Sequence, residues 1–153
     1  MEADSYHSYS EEETRAIGKR FAEKLSPGDI ITLAGDLGAG KTEFVRGVCE
    51  YFLVHDIVSS PTFTIMNQYI GSNPHDDEIA LYHIDLYRIQ EEKELQEIGF
   101  SECMSDEHVI KFVEWPEKAG SEMRNIDWNV LIKTMPDQEE ERLINIEYLG
   151  KNR

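Results

Sequence analysis

The chain has 153 residues, the length of one domain, and its 31 acidic against 15 basic side chains give a formal charge of −16. Such a surface repels a phosphate backbone, which argues against extended direct contact with nucleic acid. Met1-Glu2-Ala3-Asp4 lacks a basic n-region and an apolar h-region, and no stretch approaches the ~18 apolar residues of a spanning helix, so a soluble cytoplasmic protein without membrane contact is expected.

Cys49 and Cys103 lie far apart, with no C-x-x-C and no nearby His pair, and read as free thiols. The acidic runs Glu11-Glu12-Glu13, Asp76-Asp77-Glu78, Glu91-Glu92 and Glu139-Glu140-Glu141 read as solvated faces, or as docking sites for a basic patch on a partner protein.

In chain order, residues 1–9 read as a loose arm. Ser10-Glu11-Glu12-Glu13 is a capping box, and Ile17, Phe21, Ala22 and Leu25 follow on one face, predicting a helix to about Leu25. Pro27-Gly28 turns the chain into a β-branched strand, Asp29–Ala34. Gly35-Asp36-Leu37-Gly38-Ala39-Gly40-Lys41-Thr42 comes next and fits G-x-x-x-x-G-K-[ST] at every constrained position. Phe44, Val45, Val48 and Phe52 then recur at helical spacing, so strand, loop and helix stand in the order a P-loop requires. Backbone N–H groups that converge on phosphate oxygens need positive φ and bare Cα positions, which Gly35, Gly38 and Gly40 supply. Lys41 is the cation for the β- and γ-phosphates, Thr42 offers a hydroxyl to Mg²⁺, and the helix adds its N-terminal dipole. Gly47 costs stability within that helix unless something packs close there.

Residues 58–65 read as a loop leading into a strand with alternation through Met66, Gln68 and Ile70, followed by a polar loop, Gly71 to Asp77. Ile79–Asp85 is a core strand ending on an acid. Gln90–Ile98 is a short helix closed by Gly99, and Val109–Val113 is another core strand, ending on Glu114 and stopped by Pro116. Trp128–Lys133, a Pro136-Asp137 turn and Arg142–Tyr148 form a hairpin closing one sheet edge. These elements predict a single α/β domain over residues 1–153: a P-loop NTPase-like, three-layer fold with a mainly parallel central sheet and a C-terminal antiparallel hairpin at one edge.

Hydrolysis also needs a carboxylate near the Mg²⁺ shell and a group that orients water. Asp85 and Glu114, at strand ends that face the ligand crevice of an α/β sheet, are the candidate catalytic acids. Thr42 and Glu114 are the candidate metal-side residues, while which acid holds metal and which orients water stays open. Thr62 is a candidate γ-phosphate switch residue. His83, two before Asp85 on the same strand face, reads as a hydrogen-bonded core residue that could also orient the site. No N-K-x-D motif reads guanine, which puts ATP ahead of GTP; Arg46 and Arg88 are candidate arginine fingers. A small-molecule kinase would need an Arg-rich lid, against which seven scattered arginines argue. A non-catalytic nucleotide-sensing subunit is the other alternative.

Four motifs together resemble one family: Gly35–Thr42, Ser60-Pro61-Thr62-Phe63-Thr64, Tyr82-His83-Ile84-Asp85-Leu86-Tyr87-Arg88 and Val113-Glu114-Trp115-Pro116-Glu117. In this order they are similar to the TsaE-type (YjeE-like) P-loop ATPases of tRNA threonylcarbamoyladenosine formation. The resemblance implies that Gly35 through Thr42, with Thr62 and Trp115, bind ATP or ADP with Mg²⁺, and that Asp85 and Glu114 are the essential acids. It implies TsaD-type and TsaB-type partner proteins. Glu43 departs from the family, which usually shows a second Thr there, and is expected to face away from the phosphates.

Overall fold

The computed structural model describes residues 2–59 and 65–150. Its elements are β1 (Glu2–Ser8), α1 (Glu11–Ala22), β2 (Ile30–Ala34), α2 (Lys41–Tyr51), β3 (Met66–Ser72), β4 (Glu78–Asp85), α3 (Glu92–Glu97), α4 (Phe100–Ser105), β5 (Val109–Glu114), a 3₁₀ segment (Pro116–Glu122), β6 (Trp128–Met135) and β7 (Gln138–Tyr148). The seven strands form one sheet in the order β1-β7-β6-β2-β5-β4-β3. Parallel pairing is confined to its centre, where β2 lies between β5 and β6 and β4 adds to β5. The pairings β1/β7, β6/β7 and β3/β4 are antiparallel, so the sheet is mixed rather than mainly parallel.

Where so polar a segment is expected to be a loose arm over residues 1–9, residues 2–8 form a strand. β1 runs antiparallel along β7 from Glu2↔Tyr148 to Ser8↔Arg142. Backbone pairing holds it, helped by Tyr6 against the core and by the fully buried Ser8, whose Oγ sits 2.7 Å from Thr14 Oγ1. The C-terminal hairpin is therefore internal, and β1 is the true edge. The capping box works as its residues require: Ser10 Oγ accepts from Glu13 N at 3.1 Å. Glu13 reaches back one residue further than the motif, to Tyr9 N at 3.2 Å, and the helix ends at Ala22 rather than Leu25. On β3 Tyr69 is the buried residue; of the alternating Met66, Gln68 and Ile70, Met66 packs against the other face of the sheet, while Gln68 and Ile70 are exposed.

Side-chain alternation divides the core into two layers of contact. Ile79 and Leu81 of β4 and Ile110 and Phe112 of β5 join Ile31 and Leu33 of β2 beneath α1 and α2. Ile84 and Val113, of opposite parity, pack with Leu95 of α3, Phe100 of α4 and Ala119 on the other face. The fully buried Lys111 shares that parity and donates from Nζ to the carbonyls of Met104 (3.2 Å) and Asp106 (2.5 Å), satisfying the C-terminal end of α4. His83, Asp85 and Glu114 share the parity of Leu81 and Phe112, so all three belong to the face on which α2 starts. Among the described residues no helix is long and apolar enough to cross a membrane.

Helix α2 is held against α1 through two glycines. A Cβ at Gly18 would lie 2.2 Å from Phe44 O, and one at Gly47 would lie 2.0 Å from Arg15 O. Backbone cannot yield as a flexible side chain would, so the low helix propensity of Gly47 is the condition of the contact. Gly47→Ala should therefore destabilise by about 1–3 kcal/mol through overpacking, although alanine is the better helix former by about 1 kcal/mol. Urea unfolding checks this, and a variant more stable than the parent would contradict the contact. On the same helix the buried thiol of Cys49 is pushed up to about 12, by burial first and by the charge of Asp56 second. Iodoacetamide at pH 8 should spare it in native protein and label it fully in denaturant.

Candidate functional site

Strand β2 delivers the chain at Ala34 into the loop 35–40, and α2 begins at Lys41. Gly35 has φ 149°, and a Cβ there would meet Ile132 O at 2.4 Å, so the loop can leave the sheet beside β6 only at a glycine. Gly40 caps α2 with φ 108° and offers no side-chain bond to the first-turn N–H groups. The start of α2 thus keeps donors available to an anion. Lys41 is buried and folds back over the loop. Its Nζ donates to Gly35 O at 2.5 Å, lies 3.5 Å from Glu114 Oε1 and stands 4.7 Å from the centre of the Trp115 ring. Ammonium, carboxylate and aromatic face are thereby brought together from two separate stretches of sequence, the start of α2 and the adjacent pair Glu114-Trp115.

The parallel register sets Asp85 opposite Glu114 at the ends of β4 and β5. Only 3% of Glu114 is exposed, and its second oxygen, Oε2, lies 2.5 Å from His83 Nε2. Asp85 is less enclosed and accepts from Tyr87 N at 2.9 Å. Its carboxyl is raised above the ordinary aspartate range by burial; the Tyr87 N–H opposes this, and the charge of Glu114 adds to it. Trp115, at φ 58°, turns the chain sharply after β5, and its ring tilts against Tyr87 with centroids 5.1 Å apart. The structure therefore brings Lys41, Asp85, Glu114 and Trp115 to one end of the sheet, with Thr42 beside Lys41 at the start of α2. Thr62 lies outside the described residues.

Neither candidate finger arginine reaches this cluster by any described contact. Arg46 bonds Glu43, and its Nη2 donates to Val58 O at 2.7 Å. Arg88 sits in the exposed turn after Asp85. Glu43 is taken by Arg46 and by Arg15 of α1 at 2.7 Å. The loop is instead braced by a residue that sequence reasoning passed over: Arg142 of β7, whose Nε donates to Ala39 O at 2.9 Å and Nη2 to Gly38 O at 3.4 Å. Its only local signal is a lone cation directly after Glu139-Glu140-Glu141. Behind the loop, Thr32 Oγ1 bonds Asn129 Oδ1, tying β2 to β6.

The donor set fits a polyphosphate with a hard divalent cation. Open helix N–H groups and an ammonium suit phosphate, and the hydroxyl of Thr42 with the carboxylates of Glu114 and Asp85 are oxygen donors of the type Mg²⁺ takes. Among the described residues no three His, Cys, Asp or Glu side chains could hold a metal by themselves. A cation here would thus have to share its shell with ligand oxygens.

The family model described as "Threonylcarbamoyl adenosine biosynthesis protein TsaE" matches residues 8–144. The Bacillus subtilis tRNA threonylcarbamoyladenosine biosynthesis protein TsaE is 38% identical over 141 residues, 92% of this chain and 84% of that protein. The protein of the same name from Rickettsia conorii is 41% identical over 109 residues, 71% of this chain but 58% of the relative. Among solved structures, the crystal structure of Bacillus subtilis YdiB superposes with a TM-score of 0.77 at 32% identity, covering 97% of this chain and 87% of that one. A match that takes in the glycine-rich loop, both strand-end acids and most of the C-terminal hairpin places the chain in a family: it belongs to the TsaE family.

Proposed function

We propose that the chain is a P-loop ATPase that binds ATP or ADP with Mg²⁺, hydrolyses ATP, and serves as an accessory subunit in forming threonylcarbamoyladenosine on tRNA in the cytoplasm. The observation that carries this reading is the convergence of Lys41 and Glu114, 3.5 Å apart, at the open N-terminus of α2. Lys41 would turn from Gly35 O to the phosphates. Thr42 and Glu114 would hold the Mg²⁺, which supplies charge neutralisation between phosphate oxygens. Asp85, half-buried with its carboxyl raised, suits the residue that orients water. Trp115, over Lys41, would flank the phosphates. Thr62 is proposed as the switch residue on its motif alone.

The relatives are named for tRNA threonylcarbamoyladenosine biosynthesis, and their family carries the same expectation to this chain. The charge of −16 agrees with a subunit that leaves the tRNA to others, and TsaD-type and TsaB-type proteins are the proposed partners. Turnover by the chain alone is expected to be slow, because Arg46 is committed to Glu43 and Val58 and a partner must complete the site.

Lys41→Ala should abolish nucleotide affinity, whereas Asp85→Asn and Glu114→Gln should still bind nucleotide and lose about 10²-fold or more in turnover. Calorimetric titration with ADP and a phosphate-release assay check both halves. Unimpaired turnover in the two acid variants would falsify the assignment.

A stability measurement follows from the raised carboxyl of Asp85. As pH rises through the ordinary aspartate range, the unfolded chain ionises first and the folded chain keeps its proton longer, so this group makes stability fall with rising pH. At neutral pH Asp85→Asn, which keeps an acceptor for Tyr87 N, should match or exceed the parent in Tm. The difference should vanish below the ordinary aspartate range. A variant less stable at pH 7.5 than the parent, with the gap closing in acid, would show the opposite linkage.

A further inference from the structure

A buried carboxylate must have partners for both oxygens, because each unpaired acceptor in a water-free site carries a desolvation cost of a few kcal/mol. Glu114 meets that requirement with two unlike groups. Oε1 faces Lys41 Nζ at 3.5 Å, and Oε2 takes His83 Nε2 at 2.5 Å. The two partners differ in what else they can do. Lys41 also donates to Gly35 O and belongs to a loop built to present it to an anion. His83 is 1% exposed on β4, a strand paired on both sides, its ring enclosed on the sheet face that carries Leu81 and Phe112, and its Nδ1 has no partner among the described residues. A carboxylate only accepts, so a bond from His83 to an ionised Glu114 requires the proton on Nε2.

We propose that His83 is the positioning residue for Glu114: it holds Oε2 through the exchange in which Lys41 leaves Oε1, so that one carboxylate oxygen faces the Mg²⁺ of the bound nucleotide with its direction already fixed. This rests on the reading of Lys41 and Glu114 as the phosphate and metal residues. The chemistry is that of an outer ligand orienting an inner one, an arrangement whose loss weakens metal affinity by about 10–100-fold. Register explains why a histidine can do it from two residues upstream. His83 pairs across from Phe112 and Asp85 from Glu114, so the imidazole reaches diagonally along the sheet face to the acid, and Asp85 stays free to point elsewhere.

Two substitutions separate positioning from simple core filling. The amide nitrogen of glutamine is as many bonds from Cβ as Nε2 of histidine, whereas that of asparagine stands where Nδ1 does. His83→Gln therefore keeps the donor to Glu114 and His83→Asn removes it, in side chains of equal polarity. The measured quantity is ADP affinity by calorimetry in EDTA and in excess Mg²⁺, with thermal unfolding of each variant. The expected result is unchanged affinity in EDTA for both. The Mg²⁺-dependent gain should fall about tenfold in H83N and stay within about threefold of wild type in H83Q. In an E114Q background, H83N should have no further effect on that gain.

Full Mg²⁺ coupling in H83N overturns the inference alone, and so does equal loss of EDTA affinity and Tm in both variants. A wild-type protein whose ADP affinity responds to neither Mg²⁺ nor Glu114→Gln overturns the underlying site assignment as well. Histidine-selective ¹⁵N spectra of the wild type keep the question open to refutation whichever variants fold. His83 should show the Nε2–H tautomer with and without Mg²⁺ and ADP, and an Nδ1–H tautomer would refute the bond.

Discussion

The ammonium of Lys41 is buried at the start of a helix, where the local field is already positive, and a charge so placed persists only if something compensates it. Gly35 O, Glu114 and the face of Trp115 do so together. Each comes with a structural requirement. The Gly35 carbonyl is available because the residue adopts a φ that side chains avoid and sits against Ile132 O. Glu114 is within reach because β5 pairs directly with β2 and ends level with it. Trp115 reaches over the lysine because the chain reverses at its own left-handed φ. Moving any of the three would leave a buried charge uncompensated, a far larger cost than the worth of the pair itself.

That pairing also depends on where α2 begins, and this is set from behind. Gly18 and Gly47 let α1 and α2 approach until backbone meets backbone, and Arg142 holds the carbonyls of Gly38 and Ala39 from β7. The mixed character of the sheet then acquires a reason. Antiparallel β7, steadied along its outer side by β1, brings a cation to the loop from a strand that an all-parallel arrangement would have directed the other way.

What could be read from the residues alone was local. The glycine-rich loop, the capping box, the strand-end acids and the hairpin are each written in a few adjacent positions, and each forms as its residues predict, although the hairpin lies inside the sheet and not at its edge. What escaped was long-range. β1 is too polar to signal a strand and is one because β7 offers it a ladder. Arg142 lies about a hundred residues from the loop it braces. α4 has Phe100 as its one buried residue and is closed by Lys111 from the next strand, so its six residues carry no periodicity of their own. His83 was legible as a core histidine, and it is one. Its contact with Glu114 follows from the parallel register of β4 and β5, which no local pattern encodes.

The charge of the chain bears on what this site would have to accomplish. At −16 the molecule repels any polyphosphate at long range, yet at physiological ionic strength exposed charges beyond about 8 Å are largely screened, so the balance is decided by the nearest groups. Those groups are one ammonium and two carboxylates. A bare triphosphate would enter a site already anionic, with Glu114 losing its cationic neighbour as Lys41 turned away. A divalent cation arriving with the phosphates removes that conflict by giving both acids an opposite charge to face; the carboxyl of Asp85 is raised mainly by its burial, with the charge of Glu114 adding a lesser part. On the proposed reading, the carboxylates that make binding of the bare nucleotide unfavourable are therefore what would make binding depend on the metal.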